Sequence, residues 1–218
     1  MSVASTLPAP RMNRTAAGLR SAASDIVAAD LIVAVGDFTG GASEDLFTLS
    51  SHGLVDGDVL YALFETATGA ITGGVGTRCV VNELSSSTFN VQDADGDTIE
   101  NTADGTVVFL KVARGANSDV VELAVLPNLI VGTNDFTGGT VEDQVSASTG
   151  LQGAVDGDSI KLLYKSAAGA AAVAADATAY VKSPVVSATA QYCQTALTSG
   201  GAVADTTADG TVIFLKTS

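Results

Sequence analysis

Tryptophan is absent from this 218-residue chain, histidine occurs once, at His52, and cysteine only at Cys79 and Cys193. Aromatic residues make up 5%. Sites that read sugars or single-stranded nucleic acid favour exposed aromatic platforms, so this scarcity argues against both. It is equally what a small β core of Val, Ile and Leu would show. Two cysteines are too few for a disulfide framework, and free thiols are expected. Basic residues are scarce as well: Lys plus Arg is 10 against 24 Asp plus Glu, a net charge of −14. Such a body repels phosphate backbones and anionic lipid, so no direct contact with nucleic acid or membrane is expected. The apolar stretches near residues 26–35 and 120–131 are broken by Asp30 and by Glu122 and Pro127. Neither reaches the roughly 20 residues a membrane span needs. The first residues lack the apolar core of a secretory signal, which predicts synthesis in a reducing cytoplasm.

Catalytic constellations are missing too. No nucleophile elbow, phosphate-cradling loop or His/Cys metal cluster is present, so neither an enzyme nor a cofactor is expected. His52 lies in SSHGL, and the nearest later counterpart, Ser148-Thr149-Gly150-Leu151, has no imidazole. It reads as a turn or strand-edge histidine. The segment DADGDT, residues 93–98, alternates carboxylates like the start of a calcium loop. It places Gly96 two positions earlier than an EF-hand requires, so an acidic hairpin turn is the preferred reading.

What the chain does contain, it contains twice. TADGTVVFLK at 102–111 returns as TADGTVIFLK at 207–216, an offset of 105. DFTGG at 37–41 returns at 135–139, an offset of 98, and VDGD at 55–58 returns at 155–158, an offset of 100. Three markers in one order make a tandem duplication. Copy one is assigned to residues 25–112, a linker to 113–118 and copy two to 119–218, with residues 1–24 outside the repeat.

Val, Ile and Thr are frequent, and Asp-Gly pairs punctuate the chain at Asp56-Gly57, Asp95-Gly96, Asp104-Gly105, Asp156-Gly157 and Asp209-Gly210. These read as tight turns between short strands. Only the Ala-rich residues 15–29 could hold a short helix. The expected architecture is all-β: two tandem homologous β-sandwich or small β-barrel domains behind an extended N-terminal arm. In the strand after VDGD, Lys161 and Lys165 should face water. Alternation then turns Ile160, Leu162 and Tyr164 to the core, with Leu60, Ala62 and Phe64 as their counterparts. Tyr61 and Leu63 are left on the outer face, as candidates for cover by a partner. The closing strand is apolar on both faces, as a central strand would be.

The stretches SHGLVDGDVLYAL (51–63), TGAITGGVGTRCVV (68–81), STFNV (87–91) and DGDTIENTADGT (95–106) resemble a β module that recurs in structural proteins of tailed bacteriophages. Its marks are a His-Gly-Leu turn, a Gly-Asp turn, an aromatic or aliphatic strand, a Val-Val strand and a closing Asp-Gly-Thr. Copy one carries the match over residues 51–111, and copy two more loosely, without the His-Gly-Leu. The module occurs in capsid-decorating, fibre and tail proteins alike. The resemblance implies a non-enzymatic virion component. The short chain, with one arm and two compact domains, suits a capsid decoration or cement protein on the outer surface of the head. A tail, head-fibre or adhesin component contacting the host is the alternative, and a virion-bound hydrolase a third.

The implied partners are the major capsid protein and copies of the chain itself, with a trimer favoured because threefold axes offer closed seats. Residues 1–24 hold Arg11, Arg14 and Arg20 and no acid. With +3 there, the rest of the chain carries −17 of the net −14. The arm is therefore expected to lie on other chains through Leu7, Leu19 and these arginines, with Tyr61 and Leu63 as further partner-binding residues.

Overall fold

In the computed structural model, described over residues 26–37, 45–74, 76–112, 128–136, 143–187 and 190–217, each copy closes into a six-stranded antiparallel barrel. The first comprises β1 (Leu31–Asp37), β2 (Leu46–Thr48), β3 (Val59–Glu65), β4 (Arg78–Ser85), β5 (Thr88–Gln92) and β6 (Gly105–Val112). The second comprises β7 (Leu129–Asp135), β8 (Gln144–Thr149), β9 (Ser159–Lys165), β10 (Thr178–Val186), β11 (Gln191–Ala196) and β12 (Gly210–Lys216). Strand order around the first barrel is β1-β2-β5-β4-β3-β6, and around the second β7-β8-β11-β10-β9-β12. The two are the same circuit, so barrels rather than sandwiches realise the duplicated fold. Closure leaves neither sheet an open edge. The proposed arm and linker lie outside the described residues. Of the helix expected over residues 15–29, only the end is described, and Ala28–Asp30 form a 3-10 turn.

The repeated markers are bonded to one another. In VDGD, the Asp58 carboxylate accepts the Val55 N–H at 3.0 Å and pairs with Lys111 at 2.9 Å. Lys111 is the last residue of the TADGT marker. In copy two, Asp158 accepts the Val155 N–H at 3.0 Å and pairs with Lys216 at 3.1 Å. Each lysine also reaches a glycine carbonyl, Gly53 or Gly153, at 3.4 Å. The start of β3 is thus pinned to the end of β6, and the start of β9 to the end of β12.

Gly57, Gly96 and Gly157 take positive φ, as turn glycines should. Gly105 and Gly210 do not. They begin β6 and β12, where an added Cβ would come within 2.8 Å of the Ala70 or Ala170 methyl. Asp104-Gly105 and Asp209-Gly210 therefore serve close approach rather than a left-handed turn.

Each barrel encloses its own core. In the first, Phe47, Phe89 and Phe109 form a ring cluster with centroids 5.2 to 6.4 Å apart. In the second the core is mainly aliphatic, built on Ile130, Leu151, Ile160, Leu162, Val181 and Phe214. The cross-strand pair Phe47–Phe89 is replaced by Val145–Cys193.

Candidate interaction surface

The alternation expected for β3 and β9 holds for its first half only. Leu60 and Ala62 point into the first barrel, and Ile160 and Leu162 into the second. Phe64 and Tyr164, expected inside, lie on the outer face. The cause is a β-bulge at the same place in both copies. Ala62 pairs with Phe109 and Phe64 with Val108, which leaves Leu63 as the extra residue. Leu162 pairs with Phe214 and Tyr164 with Ile213, which leaves Leu163 extra. A bulge shifts alternation by one, so two successive side chains project outward.

Those side chains meet those of the other barrel. A third buried cluster joins Tyr61, Leu63, Val108, Leu110 and Val112 of barrel one to Leu129, Val131, Leu163, Ile213 and Leu215 of barrel two. Tyr61 and Leu63 are 0% and 1% exposed. They were expected to await another chain, and the sister copy covers them instead. The burial of β6 on both faces has the same origin: Val107 and Phe109 face the barrel core, Val108 and Leu110 the other barrel. The N-terminal turn adds a polar tie. The Ala28 N–H donates to Asp176 Oδ1 at 2.8 Å. Asp176 sits at φ 62°, in the left-handed region that its copy-one counterpart Gly76 occupies at φ 94°. Of the other expected partner-binding residues, Leu7, Arg11, Arg14, Leu19 and Arg20 lie outside the described residues. The missed ones are Leu163, Ile213 and Val131. Their signal was apolar character at outward positions in both copies at once.

The remaining candidates resolve into scaffolding. His52 is buried, with Nδ1 accepting the Leu54 N–H at 3.0 Å. That fixes the ring proton on Nε2, which donates to the Ser85 carbonyl at 2.8 Å. The ring packs edge-on against Phe89 with centroids 5.2 Å apart. The lysine contacts align Gly53 with Gly153, which sets His52 opposite Gln152 rather than in the Ser148–Leu151 stretch. In DADGDT, Asp93 Oδ1 accepts the N–H groups of Asp95 and Asp97 at 2.9 and 3.0 Å. Among the described residues no three His, Cys, Asp or Glu side chains gather as a metal site.

Two equivalent shallow clefts of about 450 and 400 Å³ lie beside Glu65 and Lys165. Both charges hold their own loop. Glu65 accepts the Ile71 N–H at 3.1 Å, and Lys165 donates to the Ala171 and Val173 carbonyls at 3.0 and 2.8 Å.

Cys79 and Cys193 are free and buried in separate cores. Burial pushes each thiol from its ordinary 9.0 up to about 12. Comparison with protein-family models, curated proteins and solved structures gives no match.

Proposed function

We propose that this chain is a non-enzymatic structural protein of a tailed-phage virion, a decoration or cement protein on the outer surface of the capsid. The observation that carries the reading is the resemblance of residues 51–111 to the phage β module. The chemistry of the barrels is in keeping with it. The polar side chains of the shared motifs hold turns and strand ends, through Asp58–Lys111, Asp158–Lys216 and the carboxylates of Asp45 and Asp143. Asp45 accepts the Asn101 N–H at 2.5 Å and Asp143 the Thr206 N–H at 2.7 Å. Such groups give a rigid acidic body rather than a reaction centre. The major capsid protein is the proposed partner, reached through the basic residues 1–24. The case for self-association rested on Tyr61 and Leu63 as outward residues in need of cover, and their burial within the chain withdraws that support; the trimer then rests on the threefold seats alone. A tail, head-fibre or adhesin role remains the second reading, because the module resembled here serves those parts as well.

Deleting residues 2–20 tests the anchor. Both barrels close with strands drawn from Leu31 onward, so the truncated protein should stay folded and soluble while losing particle binding. An extended arm buries little of its own surface, so contacts with a partner must offset its ordering. Undiminished binding of the truncated protein to particles would contradict the anchor.

A further inference from the structure

The two copies meet through the same face. The patch on barrel one is the outer side of β1, β6 and β3, which are neighbours in the circuit, and the patch on barrel two is the outer side of β7, β12 and β9. The correspondence runs residue by residue. Val33 and Val131 share the 98 offset, Leu63 and Leu163 the 100 offset, Val108 and Ile213 the 105 offset; five of the six lie in the one buried cluster, and the half-buried Val33 packs against it. The bulge that turns positions 64 and 164 outward beside Leu63 and Leu163 occurs in both copies. A patch that contacts its own equivalent is the signature of an isologous, twofold interface.

We infer that this face is a self-pairing surface, whose fitted partner is a second copy of the module, and that the chain is a fused dimer of modules. Two observations argue for that occupant. Each patch is apolar, and alone it would leave a tyrosine or several large aliphatic side chains in water, as soluble monomers rarely do. The lining is also matched in kind, so a second module meets the same chemistry that it presents. The largest departure is Lys161, which stands where copy one has Tyr61, with Ser159 and Thr217 in place of Val59 and Val112 as smaller ones. It makes the fused pair asymmetric at one corner and favours copy one against copy two over copy two against itself. The linker then serves proximity, not cohesion.

The test uses the full chain with a protease recognition sequence inserted between Gly115 and Ala116. After cleavage, light scattering on a sizing column should show one particle with the mass of the uncut chain. Halves that elute separately, or that precipitate once cut, would overturn the proposal. Leu63→Asp and Leu163→Asp, made singly, should each weaken the association of the cut halves at least 10-fold, and to similar extents, because the positions are equivalent. An effect confined to one of them would contradict the twofold pairing. Leu84→Asp, on an outer position 54% exposed, should leave the cut pair intact. Far-ultraviolet circular dichroism of every uncut variant separates loss of pairing from loss of fold. If both Asp variants unfold, Leu63→Ala and Leu163→Ala take their place, and unchanged affinity in both would refute the interface.

Discussion

Side-chain volume is exchanged between the copies across single strand pairs. In barrel one Gly36 lies opposite Phe47, and a Cβ on that glycine would come within 3.1 Å of the ring. In barrel two Asn134 lies opposite Val145, so volume gained on the first strand of the pair is given up on the second. Asn134 is fully buried and donates to the Ala170 carbonyl at 3.1 Å. The shared aspartates carry a heavier role. Removing Asp58 strips the Val55 N–H and the Lys111 ammonium of their acceptor inside a site where the carboxylate side chain is 3% exposed. Asp58→Ala should cost about 2–4 kcal/mol, read from urea unfolding. Asp158→Ala should cost less, because its side chain is 15% exposed. Equal costs would count against burial as the cause.

The thiols set an alkaline limit. The unfolded chain releases their protons near pH 9.0, while the folded chain keeps them to about 12. Their contribution is whole below pH 9 and is lost as pH rises towards 12, on the order of a few kcal/mol. Burial also raises the Tyr164 hydroxyl, which acts in the same direction. Replacing both cysteines with alanine should flatten the fall in melting temperature above pH 9 relative to the parent. Parallel curves would contradict this.

At the scale of the strand, bulges and glycines decide what faces where. The register of β7 on β8 shifts between Val131 and Gly132, just where Gly150 at φ 89° closes over Leu129. A side chain at Gly150 would run into the Leu129 carbonyl and occupy a left-handed backbone position as well. Gly150→Ala should therefore destabilise by about 2 kcal/mol or more, measured against Gly153→Ala. Gly153 also has positive φ, but open space surrounds it.

The duplication, the strand-rich content and three of the five Asp-Gly turns were legible in the sequence, because each depends on local spacing. The fate of Phe64 and Tyr164 was not. Counting by twos assumes an unbroken ladder, and a bulge shifts the count without any sequence mark. Nor could Asp104-Gly105 and Asp209-Gly210 be told from turns, since glycine serves positive φ and close approach alike. Tyr61 and Leu63 were rightly read as outward and in need of cover. That the cover belonged to the same chain was written in the matching Leu163 and Ile213.

At the scale of the whole molecule, the acidic body and the basic segment before it are the chain's largest electrical contrast. Copy one carries most of the negative charge: residues 25–112 hold 14 acids and two basic residues, and residues 119–218 hold 10 acids and four. A surface so charged stays soluble and keeps its distance from its own kind except where it is neutral, as the apolar face between the barrels is. A cement protein has to survive on an exposed shell, and two closed barrels locked along a common face provide such a body. Copy number is what decides the proposed reading as a head decoration. Quantitative mass spectrometry of purified virions, normalised to the major capsid protein, measures it directly. Decoration of the head predicts hundreds of copies per particle, whereas a handful would place the chain in the tail or a fibre and contradict the account.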